Sequence, residues 1–188
     1  SIRKAQLERY LSRRLDNARI LLVAEACGYQ GGRFTGIAMT CERMMLNQHP
    51  LVTSKMVIGA PGRRTSRSSS PFIPKMTQRL KGFNEPTDTV VWKAVLDAGL
   101  DPNDFILWNI FPFHPHHSNQ MMTNRTPTPD ELKNGLMYTR RLLELTGPMP
   151  ILAVGRKSAE TLQSAGYASI PLRHPANGGT TLFREGLF

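Results

Sequence analysis

Ile20-Leu21-Leu22-Val23-Ala24 is a continuous apolar run that stops at Glu25 and leads into a loop rich in glycine. An apolar run of this length between charged residues is typical of a β-strand that is buried on both faces. Comparable runs occupy residues 105–108 and 151–154, and a weaker one occupies residues 169–172. The sequence therefore predicts a sheet of four buried strands.

Helical patterns lie before and between these runs. The first covers residues 2–18, where apolar side chains form one stripe. Further helices are predicted over residues 41–48, 87–98, 129–146 and 156–165. Helices that alternate with buried strands predict an α/β fold whose parallel sheet is covered on both faces, with ligands bound beyond the carboxyl ends of the strands.

Length and composition predict a single soluble domain over residues 1–188. The chain has 24 Lys and Arg residues against 14 Asp and Glu residues, which gives a formal charge of +10. A positive field of this size attracts polyanions, and nucleic acid is the commonest such partner, with an anionic membrane surface as the alternative. There is no run of about 18 apolar residues and no signal-peptide pattern. We therefore expect a cytoplasmic monomer without a membrane span.

Metal and cofactor sites find little support in the residue types present. Cys27 and Cys41 are the only cysteines, so neither a disulfide framework nor a zinc or iron–sulfur site of four cysteines is expected. His114, His116 and His117 lie close together, but no nearby cysteine or ordered set of carboxylates completes a ligand pattern. Their spacing favours phosphate contact or solvent exposure, and we expect no metal and no cofactor.

The loops after the predicted strands carry the polar residues of a candidate site. The first loop begins at Glu25, the second begins at Asn109, and the fourth holds His174. After the third strand, Gly155-Arg156-Lys157-Ser158 opens a helix, where its donors fit either a phosphate or plain N-capping. Because the carboxyl ends of parallel strands meet at one edge of the sheet, these residues should converge there.

Three motifs in these loops resemble the uracil-DNA glycosylase superfamily, over residues from about 20 to 188. Glu25-Ala26-Cys27-Gly28 is similar to the family's first motif, commonly Gly-Glu-Ala-Pro-Gly, and the base-pocket segment Ile37-Ala38-Met39-Thr40 follows it. Asn109 and the segment Asn124-Arg125-Thr126-Pro127 are similar to the asparagine and the Asn-Arg-x-Pro segment of the family's iron–sulfur branch. His174-Pro175-Ala176-Asn177-Gly178 is similar to the family's His-Pro-Ser loop.

This resemblance implies a three-layer α/β/α sandwich with a central, mainly parallel four-stranded sheet. It also implies an enzyme that flips a nucleotide out of DNA and hydrolyses its N-glycosidic bond, with Glu25, Asn109 and His174 as catalytic residues. His174 would donate a hydrogen bond to the carbonyl oxygen of the departing pyrimidine, where negative charge grows. Asn109 would read the Watson–Crick edge of the base, and Glu25 would position water or stabilise the cationic sugar.

The chain departs from the family's pattern in the base pocket, for which the resemblance implies Ala26, Gly28, Met39 and Asn109. Ala26 stands where the best-known branch has the Asp that activates water, so Glu25 is the preferred candidate for the general base. Gly28 lacks the Tyr that crowds C5 of the pyrimidine, and Met39 replaces the Phe on which uracil stacks. The pocket should therefore offer more room and less stacking than a uracil pocket.

The predicted DNA contacts are basic or polar residues of four segments. Residues 59–82 contain no acidic residue and are predicted to form a mobile basic loop. Together with the loops near residues 124, 156 and 177, this segment supplies the predicted DNA-binding residues Arg63, Arg64, Arg67, Lys75, Asn124, Arg125, Arg156, Lys157, Ser158, Asn177 and Gly178.

We therefore expect a metal-free DNA glycosylase that releases a flipped pyrimidine and leaves an abasic site. The enlarged pocket favours a bulky pyrimidine substituted at C5, such as hydroxymethylcytosine or its glucosylated form in phage DNA, which would make the protein a defence factor against phage. Excision of uracil in repair is the alternative. A nucleic-acid-binding module without turnover is the alternative from another class, and a hydrolase of free nucleosides is disfavoured because it would not need a charge of +10.

Overall fold

A computed structural model describes residues 1–187, so Phe188, the last residue of the predicted domain, lies outside the described residues. At its centre is a four-stranded sheet in which all strands are parallel. The strands are β1 (Ile20–Ala26), β2 (Phe105–Phe111), β3 (Ile151–Val154) and β4 (Ile170–Leu172), and their order across the sheet is β2-β1-β3-β4. The predicted parallel sheet of four strands is confirmed.

The helices are α1 (Ile2–Ser12), α2 (Gly32–Thr35), α3 (Glu42–Met45), α4 (Ser54–Ile58), α5 (Met76–Lys81), α6 (Pro86–Asp97), α7 (Pro129–Thr146), α8 (Arg156–Ser164) and α9 (Thr180–Glu185). The predictions for α6, α7 and α8 are correct to within one residue at each end. The helices predicted over residues 2–18 and 41–48 are shorter than expected. Across residues 1–187, none of the helices combines the length and the apolar character that a membrane span requires.

Helix α1 ends early because Arg14 turns into the protein. Its fully buried side chain donates from Nη1 to the carbonyl oxygens of Tyr10 and Val57, at 2.8 Å each, and from Nε to that of Phe105 at 3.1 Å. The Tyr10 hydroxyl in turn accepts a hydrogen bond of 2.7 Å from the backbone N–H of Leu107. These bonds tie α1 to β2 and α4.

Helices cover both faces of the sheet. Successive side chains of a strand point to opposite faces, so Phe105 and Trp108 of β2 face opposite ways. Phe105 packs edge-on against Trp92 of α6, with ring centroids 5.2 Å apart, and the Trp108 Nε1–H donates to Thr139 Oγ1 of α7 at 3.2 Å. Helices α6 and α7 therefore lie on opposite faces, and the fold is a three-layer α/β/α sandwich, as predicted.

Strands β1 and β2 run further than their apolar cores. Their pairing continues from Ala24 opposite Asn109 to Ala26 opposite Phe111. Glu25 and Asn109 therefore lie inside strands rather than in the loops that the sequence predicted, because the hydrogen-bonded ladder continues past the first polar residue. Both side chains therefore project from hydrogen-bonded strands, which constrain their positions.

The strand order places a natural ligand crevice at β1. The chain passes from β1 to β2 on one side and then returns to β3 and β4 on the other. In doubly wound sheets of this order, ligands bind at the carboxyl ends of the strands where the winding direction changes. In this fold that point lies between β1 and β3.

The segment of residues 59–82, which the sequence predicts to be a mobile basic loop, is anchored by hydrogen bonds in this structure. The Arg64 guanidinium donates to the carbonyl oxygens of Arg79 at 2.7 Å and Gln78 at 2.8 Å, and to Ser66. The buried Glu42 carboxylate accepts the backbone N–H groups of Thr65 and Ser66 at 3.0 and 2.9 Å. The segment also contains α5, and it bonds to the rest of the domain near both ends, where the Arg63 N–H donates to Gln6 Oε1 at 2.8 Å and the Gly82 carbonyl accepts from Arg43 Nε at 3.2 Å.

Candidate active site

Two adjoining cavities open at the carboxyl ends of β1, β2 and β3. We name one the Asn109 cavity, of about 280 Å³, and the other the Glu25 cavity, of about 320 Å³, after a residue that lines only that cavity. The two cavities share a wall formed by Ala24, Ala26, Cys27, Gly28, Asn124, Val154 and His174. A ligand seated against this wall can reach polar groups of both cavities.

Asn109 is a buried amide with one free acceptor. Only 2% of the residue is exposed, and its Nδ2 donates to Cys27 Sγ at 3.1 Å. Its Oδ1 has no hydrogen-bond partner among residues 1–187. A buried oxygen left without a partner costs about 1–3 kcal/mol, and such groups in native proteins call for a functional explanation. The free Oδ1 is therefore available to a ligand.

His174 lines both cavities and is held in one tautomer. Its Nδ1 accepts a hydrogen bond of 3.1 Å from the backbone N–H of Ala176. In a neutral ring the proton then resides on Nε2, which becomes a donor. Burial lowers the pKa of His174, and the positive charge of Arg173 lowers it further, so the neutral form prevails near pH 7.

Gly155 makes room for the His174 ring at the end of β3. Its backbone has a φ of +93°, and a Cβ at this position would lie 3.3 Å from the Cβ and 3.4 Å from the Cδ2 of His174. A larger side chain would strain the backbone and push the imidazole. Glycine at position 155 therefore helps to set the position of the donor.

Glu25 faces the Glu25 cavity, away from Asn109. Its Oε1 is buried without a hydrogen-bond partner among residues 1–187 and lies 4.0 Å from the Lys157 Nζ. Burial raises the pKa of Glu25, and the Lys157 ammonium opposes that rise. Lys157 also donates to Thr126 Oγ1 at 3.1 Å. Lys157, which the sequence predicts to contact DNA, thus directs its ammonium towards the Glu25 carboxylate.

The four residues predicted for the base pocket all line the Asn109 cavity. Ala26, Gly28 and Met39 lie there with Asn109. Met39 has a φ of +47°, a left-handed conformation that costs a non-glycine residue about 1–3 kcal/mol. The turn is held by Thr40, whose hydroxyl accepts from Trp92 Nε1 at 3.2 Å and donates to the Ala38 carbonyl at 3.0 Å.

Two acidic residues that line the Asn109 cavity, Asp88 and Glu85, were missed by the sequence analysis. Asp88 is 3% exposed, lines the cavity, and has an Oδ2 without a partner among residues 1–187. Burial raises its pKa well above the usual value, and nearby Glu85 adds to the rise. A signal for Asp88 was present in the sequence, because Asp88 falls on the stripe of α6 that also carries Val91, Trp92 and Val95.

Asn124 and Arg125 are held by contacts within the protein. The Asn124 Oδ1 accepts from the backbone N–H of Tyr29 at 2.9 Å, and the side chain lines both cavities. Arg125 forms two bonds of 2.7 Å with the carboxylate of Glu131, and its Nε donates to the His116 carbonyl. These bonds hold the Arg125 guanidinium against α7, and its contact with DNA stays a prediction.

The other predicted DNA-binding residues divide into buried and exposed groups. Ser158 is buried and donates to the Val23 carbonyl at 2.6 Å, and Arg64 is occupied by backbone carbonyls. Neither side chain is available to a phosphate, which corrects both predictions. The exposed ones are Arg63, Arg67, Lys75, Arg156, Asn177 and Gly178.

No cluster suited to a metal ion occurs in the part of the chain that the structure describes. Among residues 1–187, no group of three His, Cys, Asp or Glu side chains could hold an ion. The rings of His114 and His116 stack with centroids 5.4 Å apart, and His114 Nε2 donates to the Thr123 carbonyl at 2.8 Å. These histidines organise a loop beside the cavities.

Comparisons with known proteins agree with this architecture. The crystal structure of wild-type SMUG2 from Pedobacter heparinus superposes with a TM-score of 0.64 over 96% of this chain and 78% of that chain, at 13% sequence identity. An identity this low shows a shared fold alone. No curated protein sequence matches the chain. The family model of the uracil DNA glycosylase superfamily matches residues 14–181, which confirms the resemblance seen in the motifs, and the chain belongs to that superfamily.

Proposed function

We propose that the protein is a DNA glycosylase that hydrolyses the N-glycosidic bond of a flipped pyrimidine nucleotide and leaves an abasic site. The observation that carries this proposal is that the free Oδ1 of Asn109 and the Nε2 donor of His174 belong to residues that line the same cavity. A pyrimidine presents complementary groups, an N–H donor on its Watson–Crick edge and a carbonyl oxygen at C2. Extrusion from the helix delivers the base to such a pocket.

His174 acts on the leaving base. As the glycosidic bond lengthens, negative charge develops on the pyrimidine, and a donor placed at its carbonyl oxygen stabilises that charge. The neutral imidazole donates a hydrogen bond from Nε2, because the backbone N–H of Ala176 holds the tautomer. Removal of one such donor typically lowers the rate by about 100- to 1000-fold.

Glu25 acts on the sugar side of the bond. Its carboxylate lies in the cavity next to His174, where it can activate water or stabilise an oxocarbenium-like sugar. The free Oε1 is available to accept a proton from water. Lys157 favours the ionised form that a general base requires.

The exposed cations and the charge of +10 support DNA as the substrate. Arg63, Arg67 and Lys75 lie on the surface of the anchored basic segment, and Arg156 is exposed at the start of α8. Phosphate contacts from such residues position a protein on DNA without reading its sequence. A hydrolase of free nucleosides would need none of them.

Within this function, we propose a pyrimidine substituted at C5 as the substrate. Gly28 leaves the shared wall without a side chain, and a Cβ there would approach the Glu85 Oε2 to 3.3 Å. Glu85 lines the Asn109 cavity, and its carboxyl group is the acceptor that we propose for a hydroxyl on the C5 substituent. Two adjoining cavities of about 280 and 320 Å³ exceed the needs of a bare pyrimidine. We further propose a role in defence against phage whose DNA carries such a base.

The test uses matched single- and double-stranded oligonucleotides that carry uracil, 5-hydroxymethyluracil, 5-hydroxymethylcytosine or glucosylated hydroxymethylcytosine, with abasic sites as the readout. We expect release of a C5-substituted base, and we expect Met39→Phe to suppress the bulkiest substrate first. Release of uracil alone would support repair and reject the enlarged pocket. DNA binding without release of any base would indicate a binding module, and release from free nucleosides alone would reject DNA as the substrate.

A further inference from the structure

Cys27 forms a hydrogen-bond relay with Asn109. Its Sγ accepts from Asn109 Nδ2 at 3.1 Å and donates to the carbonyl oxygen of Pro112 at 3.7 Å. Burial raises the pKa of the Cys27 thiol to about 12, so the sulfur keeps the proton that it donates. Gly32 gives the sulfur its space, because a Cβ there would lie 2.9 Å from Sγ. The thiol is thus held from two sides.

The relay determines which end of the Asn109 amide faces which neighbour. An amide can rotate by 180° and exchange its oxygen for its nitrogen at almost no change in shape. In this structure the thiol proton is used by Pro112, so the sulfur offers Asn109 an acceptor and binds its nitrogen. The Oδ1 is left as the free acceptor on the cavity wall.

The orientation matters because the two kinds of pyrimidine edge differ by an exchange of donor and acceptor. Cytosine-type bases carry an amino donor at C4 and an acceptor at N3, whereas uracil-type bases carry a carbonyl acceptor at C4 and an N–H donor at N3. An amide fixed in one orientation fits one of these edges, and a rotated amide fits the other. A site with a freely rotating amide would accept both.

We propose that Cys27 is a positioning residue that fixes the orientation of the Asn109 amide and thereby sets the discrimination between cytosine-type and uracil-type bases. This inference rests on the proposed base-releasing function. It assigns a role to the cysteine that stands where the first motif of the family commonly has proline. The proposed effect of Cys27 on the choice of base passes through Asn109.

The test compares 5-hydroxymethylcytosine with 5-hydroxymethyluracil, which share the C5 substituent and differ in the edge. The measured quantity is the ratio of the two kcat/KM values for single-stranded oligonucleotides. We expect Cys27→Val and Cys27→Ala to bring this ratio about three- to tenfold closer to one, as expected for the loss of one hydrogen bond. Cys27→Ser should retain the wild-type ratio, because a hydroxyl also accepts and donates.

Cys41 provides the matched control. It is also buried, but its Sγ lies 3.8 Å from Asn84 Oδ1 and makes no bond to Asn109. Cys41→Val should therefore leave the ratio unchanged even if it lowers stability. A change in the ratio as large in Cys41→Val as in Cys27→Val would overturn the proposal, since both would then act through packing.

A second readout does not depend on activity. In NMR spectra of the free protein, the Nδ2 protons of Asn109 should exchange with deuterated water at least tenfold faster in Cys27→Val than in the wild type or Cys27→Ser. If the wild type releases no base, the proposed function fails while this exchange measurement still decides the orientation. Equal exchange rates in the wild type and Cys27→Val would refute the relay.

Discussion

Glu25 is subject to two opposing influences, burial and the ammonium of Lys157 at 4.0 Å. Burial raises its pKa, so the rate of base release should rise with pH along a limb that lies above the ordinary value of 4.5. Lys157→Ala should move this limb to higher pH, because the effect that lowers the pKa is gone. The measurement is a single-turnover pH profile.

Arg156→Ala is the control for this profile, since Arg156 is exposed and pairs with Glu160 at 3.2 Å rather than with Glu25. It should leave the limb in place. Glu25→Gln should lower the rate by about 100- to 10,000-fold and remove the limb. A limb that persists in Glu25→Gln would assign the general base to another group.

Asp88 should make the protein less stable as the pH rises. Its pKa is raised in the folded state, so between the unfolded and folded pKa values the unfolded chain releases a proton that the native protein keeps. The free energy of unfolding therefore decreases with pH in this window. Asp88→Asn should be more stable than the wild type at pH 7, with a difference that grows from pH 4 upwards in thermal unfolding. A constant difference across that range would contradict the assignment.

The residues of the site were accessible to sequence analysis where a motif marked them. Asn109 and His174 were found because each follows an apolar run in a known order. Asp88 was missed because an acid in the first turn of a helix is usually an exposed cap, although it lies on the apolar stripe of α6. The tautomer of His174 could not be predicted from the sequence, because it depends on a hydrogen bond from the backbone N–H of Ala176.

The long helices and the apolar strands could be predicted from the sequence, whereas the shortest helices could not. Strands β1, β2 and β3 carry apolar runs, and α7 begins with a capping box at Thr128. Helices α3, α4 and α5 have four to six residues each and are too short to form without tertiary contacts. Their contacts include the carboxylate of Glu42 and the guanidinium of Arg64, whose backbone partners no local pattern indicates.

The anchored segment of residues 59–82 contains two kinds of arginine, one bonded to backbone carbonyls and one exposed to solvent. Arg64→Ala should lower the free energy of unfolding by about 2–3 kcal/mol, because it leaves the carbonyls of Gln78 and Arg79 without their donor. Arg67→Ala, at an exposed position of the same segment, should change it by less than about 0.5 kcal/mol. Denaturant unfolding distinguishes the two. Equal losses of stability would show that the Arg64 bonds do not hold the segment together.

At the scale of the whole molecule, the charge of +10 governs the encounter with DNA. Binding to duplex DNA should weaken steeply with salt, and neutralising Arg63, Arg67 and Lys75 should each reduce the slope of log K against log salt by about 0.9. Fluorescence anisotropy over a salt series measures this slope. Ser158→Ala, at a buried hydroxyl, serves as the control and should leave it unchanged. A slope that stays constant when all three cations are removed would exclude the segment from the interface.

The residues that line the cavities come from β1, β2, β3 and the loop after β4. Residues far apart in the sequence must therefore come together before the pocket exists. During synthesis on the ribosome, Ala24 emerges early and His174 emerges late. A domain generally folds as a unit, and a parallel sheet closes only after its distant strands have been made. A nascent or truncated chain can therefore carry the basic segment and attract DNA while it lacks the means to cut a base from it.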